Sequence, residues 1–288
     1  MMFNKSQRIF MPTPILPTLE LEEIQKTELI RFANSLIDNQ HAVESSLPVN
    51  TAIHSMKSYT DYRFDHRLSV HHQKIAKHWE YVSRIEDERL VYSSIYQDYK
   101  DLDLFYSVNG FLEVIKNIST RVLGTKAALR KIDVRTGKDR HGVCLVYPPA
   151  ESLQGGLNNL VEFCRSQKKD ITSVAVMATF LLGLHPFLDG NGRVVRILTN
   201  LLLGRSSETY IPFSELNNIS NGGYGIRCRI AVFSNKWSDI IEYYAHLYIA
   251  VELGRISSRA EALNVCQEGI SQVETGVLTS SITMTQQP

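Results

Sequence analysis

The sequence predicts an all-α protein that carries one small β-hairpin. Apolar residues recur at helical spacing through most of its 288 residues. A strand pattern occurs in one place, residues 130–147, and no internal repeat or low-complexity segment is evident. A 43% hydrophobic content, with 31 basic against 30 acidic residues, belongs to an ordinary globular chain long enough to bury a substantial core. The net charge of +1 gives no reason to expect nucleic acid or an anionic membrane as the main partner.

Residues 1–17 hold Pro12, Pro14 and Pro17 and read as an extended arm. Thr18 then suits an N-cap, with Glu22 and Glu23 in the first turn, and Leu21, Ile24, Leu29, Phe32, Leu36 and Ile37 follow at helical spacing. A polar break at 45–50 ends that helix, and further helices are expected over 68–99 and 102–118. Tyr92, Tyr96 and Tyr99 share one helix face and read as a packing stripe. His66, His71, His72 and His78 lack the close pairing and the carboxylates of a metal site, and read as a surface helix.

In the 130–147 segment, Ile132 and Val134, then Val143, Leu145 and Val146, flank the polar turn 136–142, and Pro148 and Pro149 close the hairpin. Helices resume at 153–166 and 172–184 and, after a glycine-rich loop, at 192–203. Residues 217–225, with Gly222 and Gly223, read as a flexible loop, either a bare connector or a lining of a nucleotide-base pocket. Two more helices are expected at 237–252 and 257–273, followed by a disordered polar tail at 280–288.

Cys144, Cys164, Cys228 and Cys266 lie far apart and fit neither a disulfide framework nor a zinc pattern, so reduced thiols are expected. The first 20 residues lack an apolar core followed by a cleavage site, and the longest apolar run, 171–184, is too short to span a bilayer. These features lead us to expect a soluble cytoplasmic protein.

Chemistry concentrates in residues 185–196, which read His-Pro-Phe-Leu-Asp-Gly-Asn-Gly-Arg-Val-Val-Arg and fall between two predicted helices. Gly190 and Gly192 permit backbone angles that turn successive N–H groups toward one anion, and Asn191 can donate to a phosphate oxygen. Arg193 and Arg196, three residues apart, share the face of the following helix near its positive end. Asp189 can anchor a magnesium ion, His185 can accept a proton, and Phe187 is expected to bury itself and fix the loop. Together these groups are the equipment of phosphoryl or nucleotidyl transfer. No P-loop, zinc pattern or Ser-His-Asp arrangement competes with them.

This segment resembles the signature of the Fic family, His-x-Phe-x-[Asp/Glu]-Gly-Asn-Gly-Arg-x-x-Arg, at every defined position, and the likeness extends more loosely over 130–203. The resemblance implies a Fic-type helical core with the hairpin as a target-docking flap and additional N-terminal helices. The divisions expected are a helical N-terminal region (1–120) packed on the core, a catalytic core (121–256), and a C-terminal helix with its tail (257–288). It further implies a protein adenylyltransferase that moves AMP from ATP, with Mg2+, to a Ser, Thr or Tyr hydroxyl of a target protein or of itself. His185 would be the general base, Asp189 the magnesium ligand, and Gly190, Asn191 and Gly192 the α-phosphate site. Arg193 and Arg196 would hold the β- and γ-phosphates, and the target would pair edge-on with the 130–147 flap. Within the enzyme class the alternatives are UMP or phosphocholine transfer, or removal of AMP. Outside it, the alternative is a nucleotide-binding regulator or toxin component silenced by a partner chain, and an inhibitory partner or a homo-oligomer also fits the family.

Many Fic proteins carry an inhibitory helix, [Ser/Thr]-x-x-x-Glu-[Gly/Asn], whose glutamate pairs with the second arginine of the signature. Here the matching place falls on 50–55, where His54 stands instead of the glutamate, so weaker autoinhibition is expected. Glu261 and Glu268 are imperfect downstream candidates.

Overall fold

The segment 171–184 is apolar on every face, and a helix of that kind is stable only when other elements surround it. The computed structural model, which describes residues 8–17, 20–38, 79–138, 142–219 and 223–263, places it at the centre of the molecule. In chain order the elements are β1 (Arg8–Phe10), α1 (Glu20–Gln25), α2 (Glu28–Asp38), α3 (Trp79–Tyr99), α4 (Val108–Leu123), β2 (Cys144–Val146), α5 (Ser152–Ser166) and α6 (Ile171–Leu184). They continue with α7 (Asn191–Leu202), α8 (Phe213–Ile219), α9 (Gly223–Ser234) and α10 (Ser238–Leu263). Helix α6 is enclosed by α2, α5, α7, α9 and α10, and every residue in it except Leu182 is buried. The mostly helical fold agrees with the sequence reading.

Several boundaries differ from expectation, each for a local reason. The first helix is two, because Lys26 and Thr27 turn their N–H groups to the carbonyls of Glu23 and Ile24, and the Thr27 hydroxyl donates to Ile24 as well. The helix expected from 102 begins at Val108, where the Ser107 side chain accepts the Gly110 N–H as an N-cap. The 217–225 connector is helical on both sides of residues 220–222, and Asn217 is pinned by the Tyr243 hydroxyl. The two helices expected near the C-terminal end are one, α10, which runs through Gly254 without a break. The helical stretch before residue 79, the histidine-rich stretch and the tail lie outside the described residues.

The tyrosine stripe packs as expected. Tyr92 is fully buried and donates to the Arg205 carbonyl, while the Tyr99 hydroxyl accepts from the Asn117 amide at 2.6 Å. Cys144, Cys164 and Cys228 are thiols, and burial pushes those of Cys164 and Cys228 up to about 12, which leaves them unreactive at neutral pH.

The hairpin is short. Residues 134–136 run antiparallel to 145–147 through a bridge of Arg135 with Val146 and bonds of Thr136 N–H to Leu145 and Tyr147 N–H to Val134. Its other edge holds a strand that the sequence pattern does not reveal. The proline-rich arm contributes β1, which pairs parallel to β2 with Phe10 opposite Val146, and Met11 N–H continues the ladder to the Val146 carbonyl. The arm then reaches α6, where Pro14 packs so closely on Gly183 that a Cβ there would lie 2.8 Å from the ring.

A buried ion pair joins the end of α7 to α10. Arg205 and Glu252 are both almost wholly enclosed and bonded to each other, and the guanidinium also lies 4.8 Å from the centre of the Tyr248 ring. Removing one partner leaves a buried charge without its counter-ion. Glu252→Ala is therefore expected to destabilise the fold by about 3–5 kcal/mol, measured by urea denaturation.

Candidate active site

Helix α6 delivers His185 through a defined start and stop. At its start, the Asp170 carboxylate accepts the Ser173 N–H while the Ser173 hydroxyl accepts the Asp170 N–H, forming a reciprocal capping box. At its end, His185 takes a left-handed conformation (φ 54°, ψ 62°) and returns its N–H to Leu181, and Pro186 prevents continuation. A non-glycine residue held at positive φ carries backbone strain that the surroundings must enforce.

Arg130 supplies much of that enforcement. Its side chain is completely buried, with Nε donating to the His185 carbonyl at 2.8 Å and Nη2 to the carbonyls of Pro148 (2.6 Å) and Leu184 (3.3 Å). Nη1 donates to Ile132 at 3.0 Å, and the Arg130 N–H bonds the Pro186 carbonyl. One guanidinium thus ties the motif loop to both ends of the hairpin.

Within the loop, Phe187 is buried as expected. The Asn191 carboxamide is engaged twice with Phe187, accepting its N–H at 2.9 Å and donating to its carbonyl at 2.8 Å. The Asn191 side chain, read from the sequence as a phosphate donor, thus also braces the loop. Gly190 caps α7 at φ 77°, and the amides of the first turn of α7 lack carbonyl partners within the helix. Free amides at a helix start are suited to an anion.

The charged residues sit around it. Asp189 is largely exposed, accepts the Gly190 N–H at 2.6 Å and lies 3.8 Å from Arg193. Arg193 also donates to the Val122 carbonyl at the end of α4. Among the described residues no three His, Cys, Asp or Glu side chains converge on a common point, so a cation beside Asp189 would take its remaining ligands from phosphate and water. Magnesium tolerates that donor set, and a single exposed carboxylate next to an anion cradle fits it.

Arg196 is already paired. Its Nε and Nη2 fork onto the two oxygens of Glu88 in α3, at 3.0 and 2.6 Å, and the Tyr210 hydroxyl donates to the same carboxylate. The glutamate that engages this arginine is therefore none of the positions the sequence reading weighed. His54 and Glu268 lie outside the described residues, and the side chain of Glu261 is not described. Nothing in the sequence singles out Glu88, which sits among Asp87 and Arg89 and lacks the Ser or Thr four residues before it and the Gly or Asn after it.

The His185 imidazole stacks on Tyr147, the residue following β2, with ring centres 3.8 Å apart and planes 16° from parallel. Burial lowers the imidazole pKa to about 4, helped by the Arg130 charge; the Leu182 carbonyl and Asp189 pull the other way. At neutral pH the ring is uncharged and able to accept a proton. Arg130, Tyr147, Tyr210 and Glu88 are the site neighbours that sequence reasoning missed, since each comes from outside the 185–196 segment.

Residues 105–203 match the model of the Fic/DOC family. No curated protein matches the chain. Among solved structures, a Fic family protein from Desulfovibrio desulfuricans G20 is 16% identical with a TM-score of 0.51, over 86% of this chain and 78% of that one. Fic-1 from C. elegans is 16% identical with a TM-score of 0.49, over 85% of this chain and 76% of its own. The first of these likenesses shows a shared fold.

NMR titration of histidine-labelled protein, with the His185 signal assigned from His185→Ala, should find this imidazole uncharged down to about pH 4. An ordinary midpoint near 6.5 would contradict the buried geometry.

Proposed function

We propose that the chain, whose residues 105–203 match the Fic/DOC family model, is a protein adenylyltransferase moving AMP from Mg-ATP to a hydroxyl of a target protein. The observation that carries this reading is the juxtaposition, within one loop, of a half-buried imidazole and the start of a 12-residue helix that bears two arginines in its first turns.

In this reading His185 takes the proton of a Ser, Thr or Tyr hydroxyl as its oxygen attacks the α-phosphorus. The bond from that phosphorus to the oxygen bridging to the β-phosphate breaks, and pyrophosphate leaves with the electron pair. The Asn191 and Gly192 amides in the first turn of α7 receive the α-phosphate oxygens, and the Gly190 N–H joins them on leaving the Asp189 carboxylate, so that developing negative charge meets backbone donors. Arg193 holds the β-phosphate. A magnesium ion held by Asp189 would neutralise charge between the phosphates when bound.

Arg196 is the γ-phosphate residue in this scheme, and its fork onto Glu88 competes with that duty. In this reading the resting site is restrained by α3 through Glu88, where the sequence reading, with His54 in the glutamate's place at 50–55, expected weaker autoinhibition. The target segment would add beside the hairpin on the outer side of 132–136, because β1 fills the other edge of β2. Ile132, exposed there, offers an apolar contact.

Incubation with magnesium, candidate lysate and ATP labelled at the α or γ phosphate tests the function. Label retained on protein from the α position alone, and lost in His185→Ala, is the expected result; retention from the γ position would indicate phosphate transfer instead. Glu88→Gly should raise the transfer rate on the order of tenfold, as expected if about 1.4 kcal/mol of competition for Arg196 is released. A rate equal to or below that of the parent protein would remove the restraint from the scheme.

A further inference from the structure

The general base that the proposed function assigns to His185 must present its imidazole at a fixed angle, and the Leu182 carbonyl acts on the ring at one edge only, without fixing its plane. The ring nitrogen Nδ1 is buried and has no partner at hydrogen-bonding geometry among the described residues. Asp189, the nearby carboxylate, is exposed and occupied with Gly190 and Arg193. The backbone of His185 is secured by Arg130 and Leu181, but those bonds leave rotation of the side chain unrestricted.

The flat contact is with Tyr147. Its ring lies nearly parallel to the imidazole at a 3.8 Å centre-to-centre distance, closer than the 4.5–7 Å usual for aromatic pairs. Tyr147 is itself anchored by its N–H to the Val134 carbonyl and follows directly on β2, whose Val146 pairs with both Arg135 and Phe10. The base and the hairpin therefore share an aromatic joint.

We propose that Tyr147 is a positioning residue for His185, its ring face setting the plane of the imidazole and shielding it from water. The proposal rests on His185 being the base, and it deepens that assignment. Since Tyr147 belongs to the hairpin, a segment pairing there bears on the ring that orients the base. The phenol hydroxyl has no part in this; the ring face does the work.

The charged groups acting at this joint are Arg130 before the hairpin and Asp189 in the loop, which act on His185, and Arg229 in α9, which acts on Tyr147. All three remain in a Tyr147 variant, so a change in His185 titration reports loss of the ring. Removing it exposes the imidazole, and the sign follows from burial being the largest cause of the lowered pKa. The midpoint should rise toward 6.5.

The test compares the parent protein with Tyr147→Phe, Tyr147→Leu and Tyr147→Ala, following the His185 signal by NMR and measuring kcat and the KM for Mg-ATP. Expected for Tyr147→Ala are an upward shift of the His185 midpoint and a fall in kcat of about 10²-fold, the lower end of what a positioned base contributes, with KM unchanged. The acid limb of the rate profile should rise with the midpoint. Tyr147→Phe should match the parent, and Tyr147→Leu, which fills space without a flat face and guards against misfolding of the alanine variant, should retain the shift in part. The proposal is overturned if Tyr147→Ala and Tyr147→Leu both leave the His185 titration unchanged, or if Tyr147→Phe behaves as Tyr147→Ala. The NMR arm needs no turnover: absence of transfer in the parent protein with a titration shift in the variants would sink the enzymatic reading and leave the joint standing.

Discussion

A single guanidinium is the constraint on which the rest of the site depends. Arg130 reaches carbonyls of Ile132, Pro148, Leu184 and His185 from a position wholly shielded from water. The bonds to Pro148 and Leu184 are buried, and those carbonyls would otherwise go unsatisfied at about 1–3 kcal/mol apiece. An arginine suits the task because its five donors project in a fixed plane, whereas a lysine ammonium would meet only part of the set. The strained backbone of His185, the turn at Pro186 and the base of the hairpin are consequently one rigid unit.

Around that unit the electrostatics are arranged in two layers. The inner layer is fixed by the fold: the amides in the first turn of α7 and the imidazole beside them are held by backbone and core contacts. The outer layer is negotiable. Asp189 and Arg193 are partly exposed and meet at 3.8 Å, while Arg196 is shared with a carboxylate from a different helix. An arrangement of this kind separates the chemistry, which is fixed, from access to it, which depends on where α3 sits against α7.

Much of this was legible in the sequence, and what was not has a common cause. Helix α6 could be read because its residues are apolar on every side, and the 185–196 loop because its glycines, carboxylate and arginines are contiguous. The helix break at Lys26 and Thr27 and the late start at Val108 were not visible, since both depend on one hydroxyl finding a particular backbone partner. Glu88, Arg130 and Tyr147 were missed for a related reason. Each acts on a residue 38 or more positions away, and no periodicity records such a meeting. The side chain of Asn191 shows the reverse: a residue in the right place whose amide turns out to be occupied by its own loop.

The three-residue strand β1 has a practical bearing on how the protein is handled. Arg8 opens a ladder that runs through Met11 into the sheet of the hairpin, and Pro14 then wedges against Gly183, two residues from the histidine. An affinity tag or fluorophore joined just ahead of Arg8 therefore hangs from the sheet rather than from a free end. Its bulk and charge sit on the hairpin beside Cys144, and labels for binding work at that hairpin belong elsewhere on the chain.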